Sequence, residues 1–187
     1  MRALPAAPIQ RTLKRLRSTT PQGTMNTTLT VRPVCPSDIA ALTALLNEII
    51  AIGGTTAYET PLSEDGMAAW LLEGAGLLSC QIAVREAVLG FQVLEHHAGL
   101  SKGWADIATF ARARPKVPGV GRALFTATRA LAEAEGVRTI NATIRADNTG
   151  GLAYYTKMGF RDYAIRRCVP LSSGRRVDRI SKRFDLA

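Results

Sequence analysis

The sequence predicts an α/β protein with a mixed, mostly antiparallel central sheet flanked by helices. From Thr28 onward, stretches that alternate apolar and polar residues, as strands do, are separated by segments whose apolar residues recur every three to four positions, as in amphipathic helices. The resulting order is β-α-α-β-β-β-α-β-α-β-β. Three consecutive strands favour antiparallel pairing, and a helix between two later strands requires at least one β-α-β crossover.

The first half of the chain contains one strand and two helices before the run of strands. The stretch "TLTVRPV" alternates like a strand, and Ser37 is then predicted to cap a helix that stops at Gly53 and Gly54. A short second helix follows "TPLSED", with Ser63 as its predicted N-cap. The stretch "SCQIAVREAVLGFQVLEHH" predicts a hairpin that turns near residues 86–87, and "GWADIATFARA" predicts the next strand.

The second half alternates helices and strands. A helix is predicted from Val120 to about Glu135 and ends at Gly136. The strand "RTINATIRA" and a helix from Asn148 to Met158 follow. Two final strands, "FRDYAIRRCV" and "RRVDRISKRFDL", are joined at "PLSSG". Val177 and Ile180 interleave with the charges of the last strand, which favours a strand with one solvated face over a nucleic-acid-binding tail.

Composition indicates one globular domain. The chain has 187 residues, of which 47% are hydrophobic and 21% charged, and it has no apolar run of the roughly 18 residues that a membrane span needs. Its three cysteines lack Cys-x-x-Cys spacing, so neither a disulfide framework nor a metal site is expected. We therefore expect a soluble protein of the reducing cytoplasm that contacts no membrane.

The formal net charge of +9 is concentrated at the N-terminus. Five of the positive charges lie within the first 17 residues and the first acidic residue is Asp38, so the remainder of the chain carries about +4. This remainder does not indicate a nucleic-acid partner, although it suits an anionic cofactor. We expect residues 1–27 to be a disordered basic extension, with Met25 as an alternative start, although their composition also resembles a transit peptide. The folded domain is then residues 28–187.

A Gly-x-Gly pair, Gly119 and Gly121, lies between a predicted strand and a predicted helix. Glycines at a helix N-terminus let backbone N–H groups approach an anion such as phosphate. The pair is not a dinucleotide-binding fingerprint, because Leu124 stands where the third glycine belongs. Nor is it a Walker A loop, which would end in Gly-Lys-Ser/Thr. A tight turn that needs glycine for geometry alone remains the alternative.

Two motifs at the correct spacing resemble the signature motifs of the GCN5-related N-acetyltransferase (GNAT) family. The segment "KVPGVG" resembles the family pattern Gln/Arg-x-x-Gly-x-Gly/Ala, with Lys116 in the first position. The segment "NTGGLAYYTKMGF" resembles Asn-x-x-Ala followed by Tyr and Gly-Phe, with Gly151 in the alanine place. The order of elements from Thr28 onward also resembles the GNAT fold.

The resemblance implies an acetyl-coenzyme A-dependent N-acetyltransferase. It places the diphosphate on the amides of the glycine turn, with Lys116 or Arg122 adding charge at the rim, and it places the thioester against a strand that splays to receive it. The residues implied in binding acetyl-coenzyme A are Thr109, Phe110, Ala111, Lys116, Val117, Pro118, Gly119, Val120, Gly121, Arg122 and Asn148. The alternatives are a non-catalytic acyl-coenzyme A-binding module and acetylation of a protein or peptide amine.

Acetyl transfer to an amine needs a base for the ammonium and an acid for the leaving thiolate. The resemblance places Tyr155 beside the sulfur as the acid, with its neighbour Tyr154 pointing elsewhere on the helix. Asp106 occupies the place where phosphinothricin-type members carry a glutamate, and we expect it to be the base. His96 and His97 are rivals on the preceding strand, where at most one can face the site.

The segment "TTAYETPLSEDGMAAW" resembles the acceptor-pocket segment of the phosphinothricin and methionine-sulfone acetyltransferases. This resemblance places Tyr58 and Glu59 near the acceptor, where Glu59 can hold an ammonium group. The expected acceptor is the primary amine of a small molecule, with an amino-acid-like compound as one candidate. The family also implies a homodimer.

Overall fold

The computed structural model describes residues 28–186; the predicted extension of residues 1–27 lies outside them, as does Ala187. Seven strands and four longer helices follow one another in the predicted order. Their bounds are β1 Thr30–Pro33, α1 Ile39–Ile52, α2 Glu64–Leu71, β2 Leu77–Val84, β3 Val88–Glu95, β4 Trp104–Ala111, α3 Val120–Ala134, β5 Thr139–Arg145, α4 Thr149–Lys157, β6 Arg161–Pro170 and β7 Arg176–Asp185.

The strands form one sheet in the order β1-β2-β3-β4-β5-β7-β6. β4 and β5 pair in parallel, and every other neighbouring pair is antiparallel. The helix α3 makes the crossover between the two parallel strands, because parallel neighbours cannot be joined by a tight turn. The predicted fold class, a mixed and mostly antiparallel sheet flanked by helices, is confirmed.

Helices pack on both faces of the sheet, and successive strand residues alternate between these faces. On the face that we call the first face, α1 and α2 cover β2, β3 and β4 through a core that includes Leu42, Leu46, Met67, Phe91 and Phe110. On the second face, α3 and α4 pack through Phe125, Ile140, Ala142, Ile144, Tyr155 and Phe160. On β5 and β7 the first face instead carries polar and basic side chains.

The parallel ladder between β4 and β5 is short. It joins residues 104–106 to residues 139–141 and ends at the pair Asp106 and Asn141, although β4 continues to Ala111 and β5 to Arg145. Over the same stretch β4 stays paired with β3 on its other side. Beyond Asp106 the two strands therefore diverge, and the backbone groups of β4 that point towards β5 have no strand partner.

Of the three ends predicted for the first two helices, two are confirmed and one is wrong. Ser63 caps α2 by accepting the Gly66 N–H at 3.1 Å, and Gly53, with φ of +74°, ends α1. The predicted cap at Ser37 is wrong, because Ser37 lies inside a single 3-10 turn, Pro36–Asp38. The Asp38 carboxylate makes the contacts at the start of α1: it accepts hydrogen bonds from the Cys35 N–H at 2.8 Å and from both terminal nitrogens of the Arg32 guanidinium group.

No helix within residues 28–186 combines the length and apolarity that crossing a bilayer requires.

Candidate active site

A cavity of about 1360 Å³ passes through the sheet where β4 and β5 diverge. It is open to both faces, because its lining includes Asp106 and Thr143 from the first face and Thr109 and Tyr155 from the second. All but one of the predicted site residues line this cavity. The exception is Glu59, which borders a neighbouring pocket of about 340 Å³.

Asp106 lies at the last pair of the parallel ladder, at the point where the cavity crosses the sheet. Its Oδ1 accepts a hydrogen bond from Asn141 Nδ2 at 2.5 Å. Burial raises the pKa of Asp106 to about 6, and the Asn141 hydrogen bond opposes this rise by favouring the carboxylate. At neutral pH the side chain is therefore mostly ionised, with a pKa close enough to the working pH to accept and release a proton.

Asn141 holds the Asp106 carboxylate in place. Only 3% of Asn141 is exposed, and its Oδ1 accepts the Tyr163 hydroxyl at 2.7 Å, so its Nδ2 must point at Asp106. The Tyr163 ring in turn packs edge-on against Trp104, with 5.5 Å between centroids. The sequence gives no signal for Asn141 as a site residue, because its position opposite Asp106, 35 residues away in the chain, depends on the register of two strands.

A second carboxylate, Glu95, lies directly across from Asp106 on β3. Its Oε2 accepts the Trp70 indole N–H at 3.0 Å, and its negative charge raises the pKa of Asp106 further. β3 ends at Glu95, so the expectation that His96 and His97 belong to the strand is wrong. His97 lines the cavity and lowers the pKa of Asp106, whereas His96 lies outside the cavity lining.

Tyr155 approaches the cavity from the second face. Its hydroxyl lies 2.9 Å from Thr109 Oγ1 and donates to the Ile107 carbonyl at 3.4 Å, on the free edge of β4. The residue is 6% exposed, and burial raises its pKa well above the usual range for a phenol. Tyr155 therefore keeps its proton at physiological pH, which suits a proton donor.

Tyr154 also lines the cavity, so the expectation that it points elsewhere is wrong. Its hydroxyl donates to the Gly121 carbonyl at 2.9 Å and accepts from Gln92 Nε2 at 3.2 Å. Gln92 also donates to Thr109 Oγ1 at 2.7 Å, and Thr109 contacts Tyr155. One hydrogen-bonded network thus joins the glycine turn, β3, β4 and both tyrosines, and the sequence shows no signal for it.

The glycine turn forms the N-terminal end of α3. Gly119 has a φ of +88°, and a Cβ at this position would meet no atom within 4 Å, so the space beside its backbone is open. The first hydrogen bond of the helix joins Ala123 N–H to the Gly119 carbonyl at 2.9 Å. The N–H groups of Val120, Gly121 and Arg122 precede this bond and have no acceptor within the helix.

Gly121 is glycine for a different reason. A Cβ there would come within 2.7 Å of the Tyr154 ring, so the packing of a side chain requires glycine at this position. Lys116 and Arg122 are exposed side chains at the rim of the cavity. Open space, unpaired amides and flanking positive charge together fit a diphosphate group.

Asn148 is the N-cap of α4. Its Oδ1 accepts the Gly151 N–H at 2.8 Å, and its Nδ2 donates to the Thr55 carbonyl at 2.8 Å in the segment between α1 and α2. A Cβ on Gly151 would lie 2.6 Å from Asn148 Nδ2, which explains why glycine replaces the alanine of the family pattern. Asn148 lines the cavity, with its amide engaged in these internal bonds.

Tyr58 and Glu59 lie in the segment between α1 and α2 and face different surroundings. The Tyr58 ring packs against Trp70 and Phe110, with centroids 5.4 and 6.2 Å away, and burial raises its pKa to about 12. Glu59 Oε2 accepts the Ser172 N–H at 2.5 Å in the turn between β6 and β7. The structure therefore places Tyr58 in the cavity lining, whereas Glu59 borders the neighbouring pocket and bonds to the turn between β6 and β7.

No protein-family model matches the chain, and no curated protein sequence matches it. Several solved structures, however, are similar to the chain. A ribosomal-protein-alanine N-acetyltransferase from Brucella melitensis is 21% identical, with a TM-score of 0.76 over 84% of this chain and 99% of that one.

Two further structures are similar to the same extent. A GNAT superfamily phosphinothricin acetyltransferase from Sinorhizobium meliloti, solved with acetyl-coenzyme A, is 22% identical, with a TM-score of 0.75 over 86% of this chain and 89% of that one. A GCN5-related N-acetyltransferase from Kribbella flavida is 24% identical, with a TM-score of 0.73 over 84% of this chain and 98% of that one. The chain therefore has the GNAT fold.

Proposed function

We propose that this protein is an acetyl-coenzyme A-dependent N-acetyltransferase acting on the primary amine of a small molecule. The observation that carries the proposal is the convergence of an ionisable carboxylate, a buried protonated phenol and an anion-binding turn on one cavity. These three parts match the chemical needs of acetyl transfer to an amine. The GNAT fold, and the presence of acetyl-coenzyme A in the similar S. meliloti structure, support the same function.

Backbone groups would hold the cofactor. The amides of residues 117–122, with Lys116 and Arg122 at the rim, would bind the diphosphate, and the wall that contains Asn148 would face the same molecule. The free edge of β4 at Thr109, Phe110 and Ala111 offers hydrogen-bonding groups to the pantetheine arm and the thioester carbonyl. Acetyl-coenzyme A, when bound, supplies an activated acetyl group.

Asp106 would take the proton that the acceptor ammonium must lose before the nitrogen can attack. The side chain is held by Asn141 at the crossing point of the sheet and lines the cavity on the first face. An aspartate can accept the proton directly or through a bridging water.

Tyr155 would donate a proton to the sulfur as the thiolate leaves. Its raised pKa keeps the hydroxyl protonated, and its contacts with Thr109 and Ile107 hold it beside the free edge of β4. Asp106 and Tyr155 thus act from opposite faces of the sheet, which matches the geometry of a nucleophile entering from one side and a leaving group departing to the other.

Tyr58 would border the acceptor, and Glu59 would lie beside the acceptor site, in a pocket that shares Tyr58 and Arg145 with the cavity. A protein or peptide amine is the alternative acceptor, and a non-catalytic acyl-coenzyme A-binding module is the alternative function. A homodimer located in the cytoplasm belongs to the same proposal.

The decisive experiment measures acetyl-coenzyme A binding by calorimetry and thiol release against a panel of amino acids, their sulfone and phosphinate analogues, polyamines, aminoglycosides and N-terminal peptides. Binding together with amine-dependent thiol release that Asp106→Asn abolishes supports the proposal. Binding without release for any amine favours the non-catalytic module. The absence of binding rejects both.

A further inference from the structure

Three arginines lie side by side on the first face of the sheet, on strands β5, β7 and β6. Arg145 is directly opposite Arg179 in the ladder between β5 and β7, and Arg179 is directly opposite Arg166 in the ladder between β7 and β6. Directly paired strand residues project to the same side of a sheet, so the three side chains share one surface. All three line the cavity that contains Asp106.

Within residues 28–186, only Arg145 among these three arginines has a carboxylate bonded to its guanidinium group. Arg145 is 7% exposed and forms two hydrogen bonds with Asp147, at 2.9 and 2.8 Å. Arg175 also contacts Asp147, and Glu59 contributes the other nearby negative charge. Four arginines around two carboxylates leave an excess of two positive charges.

Arg179 is the exceptional member of this group. Its side chain is half-buried, and neither it nor Arg166 forms a hydrogen bond or ion pair with any other side chain of residues 28–186. Burial and the neighbouring positive charge of Arg145 lower the pKa of Arg179. A half-buried guanidinium without a bonded side-chain partner leaves its five N–H donors available to an anion in the cavity.

This anion position is distinct from the one at the glycine turn. The turn follows the end of β4 and begins α3, whereas Arg179 and Arg166 project from β7 and β6 on the first face, the side from which Asp106 is reached. Along β5, Arg145 lies four positions after Asn141, which is beside Asp106, and this corresponds to about 13 Å of strand. A small molecule can therefore contact Asp106 and Arg179 at once from within the cavity.

We propose that the acceptor is a small primary amine that also carries an oxyanion, either a carboxylate or its phosphonate or sulfonate equivalent, and that Arg179, assisted by Arg166, binds this oxyanion. The inference rests on the proposed acetyltransferase function and identifies the class of its acceptor. The planar fork of Arg179 suits bidentate binding of an oxyanion and orients the amine towards Asp106. Polyamines, which carry positive charge at both ends, are disfavoured by the same arginines.

The test uses the full-length chain and matched acceptors in a thiol-release assay. The acceptors are ω-amino carboxylates of increasing length, the corresponding ω-amino carboxamides, aminoalkyl phosphonates and sulfonates, and diamines of equal length. The variants are Arg179→Gln and Arg179→Lys. Arg183→Gln is the control, because Arg183 lies on the same strand and face but outside the cavity lining.

We expect each carboxylate, or its phosphonate or sulfonate equivalent, to exceed its carboxamide in kcat/KM by about tenfold or more. Arg179→Gln should raise the KM for the carboxylate by about 10- to 100-fold, the usual effect of losing a charged hydrogen-bond partner. In Arg179→Gln, the KM for acetyl-coenzyme A and the kinetics with the carboxamide should stay within about twofold of the wild-type values. The KM of Arg179→Lys for the carboxylate should lie between those of the wild type and Arg179→Gln. Arg183→Gln should match the wild type.

Equal use of carboxylates and carboxamides, or an equal effect of Arg179→Gln on both, overturns the inference while leaving the acetyltransferase function intact. Failure of every amine to release thiol would instead count against the proposed function. In that case, calorimetric titration of the same carboxylates and phosphonates into the wild type and Arg179→Gln still decides the inference, because equal binding, or no binding, by the two proteins contradicts it.

Discussion

The two ends of the cavity are built by different means. The end at the glycine turn presents mostly backbone: open space beside Gly119, the unpaired amides of the first turn of α3 and the free edge of β4. The end on the first face presents side-chain charge: Asp106 and Glu95 near the crossing point, and Arg145, Arg166 and Arg179 beyond it. The exposed polar groups are thus mostly backbone atoms at the first end and charged side chains at the second.

Under the proposed function, the end on the first face is where selectivity for the acceptor would reside. A backbone cradle recognises a group shared by all acyl-coenzyme A molecules, and its geometry survives most side-chain changes that leave the turn intact. A cluster of charges recognises a particular acceptor, and each of its members carries a separate part of the chemistry. Mutations at the two ends should therefore differ in kind: loss of cofactor affinity at one end, and loss of turnover or acceptor affinity at the other.

The largest effect is expected from Asp106→Asn. The amide cannot accept a proton, so turnover should fall by ~10²-fold or more, while acetyl-coenzyme A affinity should change little. In the wild type, the rate should rise with pH through about 6, the pKa of Asp106, and this acidic limb should be absent from any residual activity of the variant. Steady-state kinetics across pH 5–9 provide the measurement, with Glu95→Gln as the matched carboxylate variant. If Glu95→Gln removes the limb and Asp106→Asn does not, Glu95 is the base.

The adjacent tyrosines provide the next comparison. Tyr155→Phe should lower turnover by about 10²-fold with acetyl-coenzyme A still bound, because only the proton donor is removed. Tyr154→Phe breaks the hydrogen bond to the Gly121 carbonyl and should instead weaken cofactor binding by about two- to tenfold. Single-turnover kinetics and calorimetry on both variants separate the two effects. The reverse pattern would transfer the role of acid to Tyr154.

At the glycine turn, replacing Gly119 should weaken acetyl-coenzyme A binding more than removing the positive charge of Lys116. Gly119→Val forces a β-branched residue into a φ of +88° and fills the open space, so acetyl-coenzyme A affinity should fall by at least about tenfold. Lys116→Ala should cost about 1 kcal/mol or less, because the side chain is exposed. Calorimetric affinities that fall equally in both variants would contradict the backbone account of this end.

Asn141→Leu tests the positioning of Asp106 without touching its carboxyl group. Because the Asn141 hydrogen bond lowers the pKa of Asp106, its loss should move the acidic limb of the pH profile above pH 6. At higher pH the variant should recover most of its turnover, which a purely structural defect would not allow. Ile140→Val, the neighbouring residue on β5 whose side chain lies in the apolar core of the opposite face, is the control and should leave the limb in place.

The smallest effect concerns stability. The pKa of Asp106 is raised in the folded protein from 3.8 to about 6, so the fold loses stability as pH rises through this interval and remains penalised above it. Asp106→Asn removes the buried charge and should raise the melting temperature at pH 8 by a few degrees, the usual shift for ~1 kcal/mol. Thermal unfolding at pH 4 and pH 8 measures the difference, which should be absent at pH 4, and an equal shift at both pH values would refute the assignment.

Local features of the chain were predictable from the sequence. Periodicity located every strand and helix, the Ser63 cap could be identified from residue type, and Gly119 marked a turn that must open a helix. These depend on the conformational preferences of a few adjacent residues, which the sequence states directly. Ser37 was misplaced because a 3-10 turn and the Asp38 contacts with Arg32 and Cys35 compete with simple capping.

The contacts between segments that are distant in the chain depend on the tertiary structure and have no signal in the sequence. The register that sets Asn141 beside Asp106, the ladder that lines up Arg145, Arg179 and Arg166, and the packing of Tyr154 on Gly121 each bring together residues far apart in the chain. A shift of one residue in any of these strands would send the side chains to the opposite face, and no local preference specifies that choice. The sequence alone therefore determined the elements and the glycine turn, while the charged end of the cavity arose from strand register, which the burial of the whole core selects.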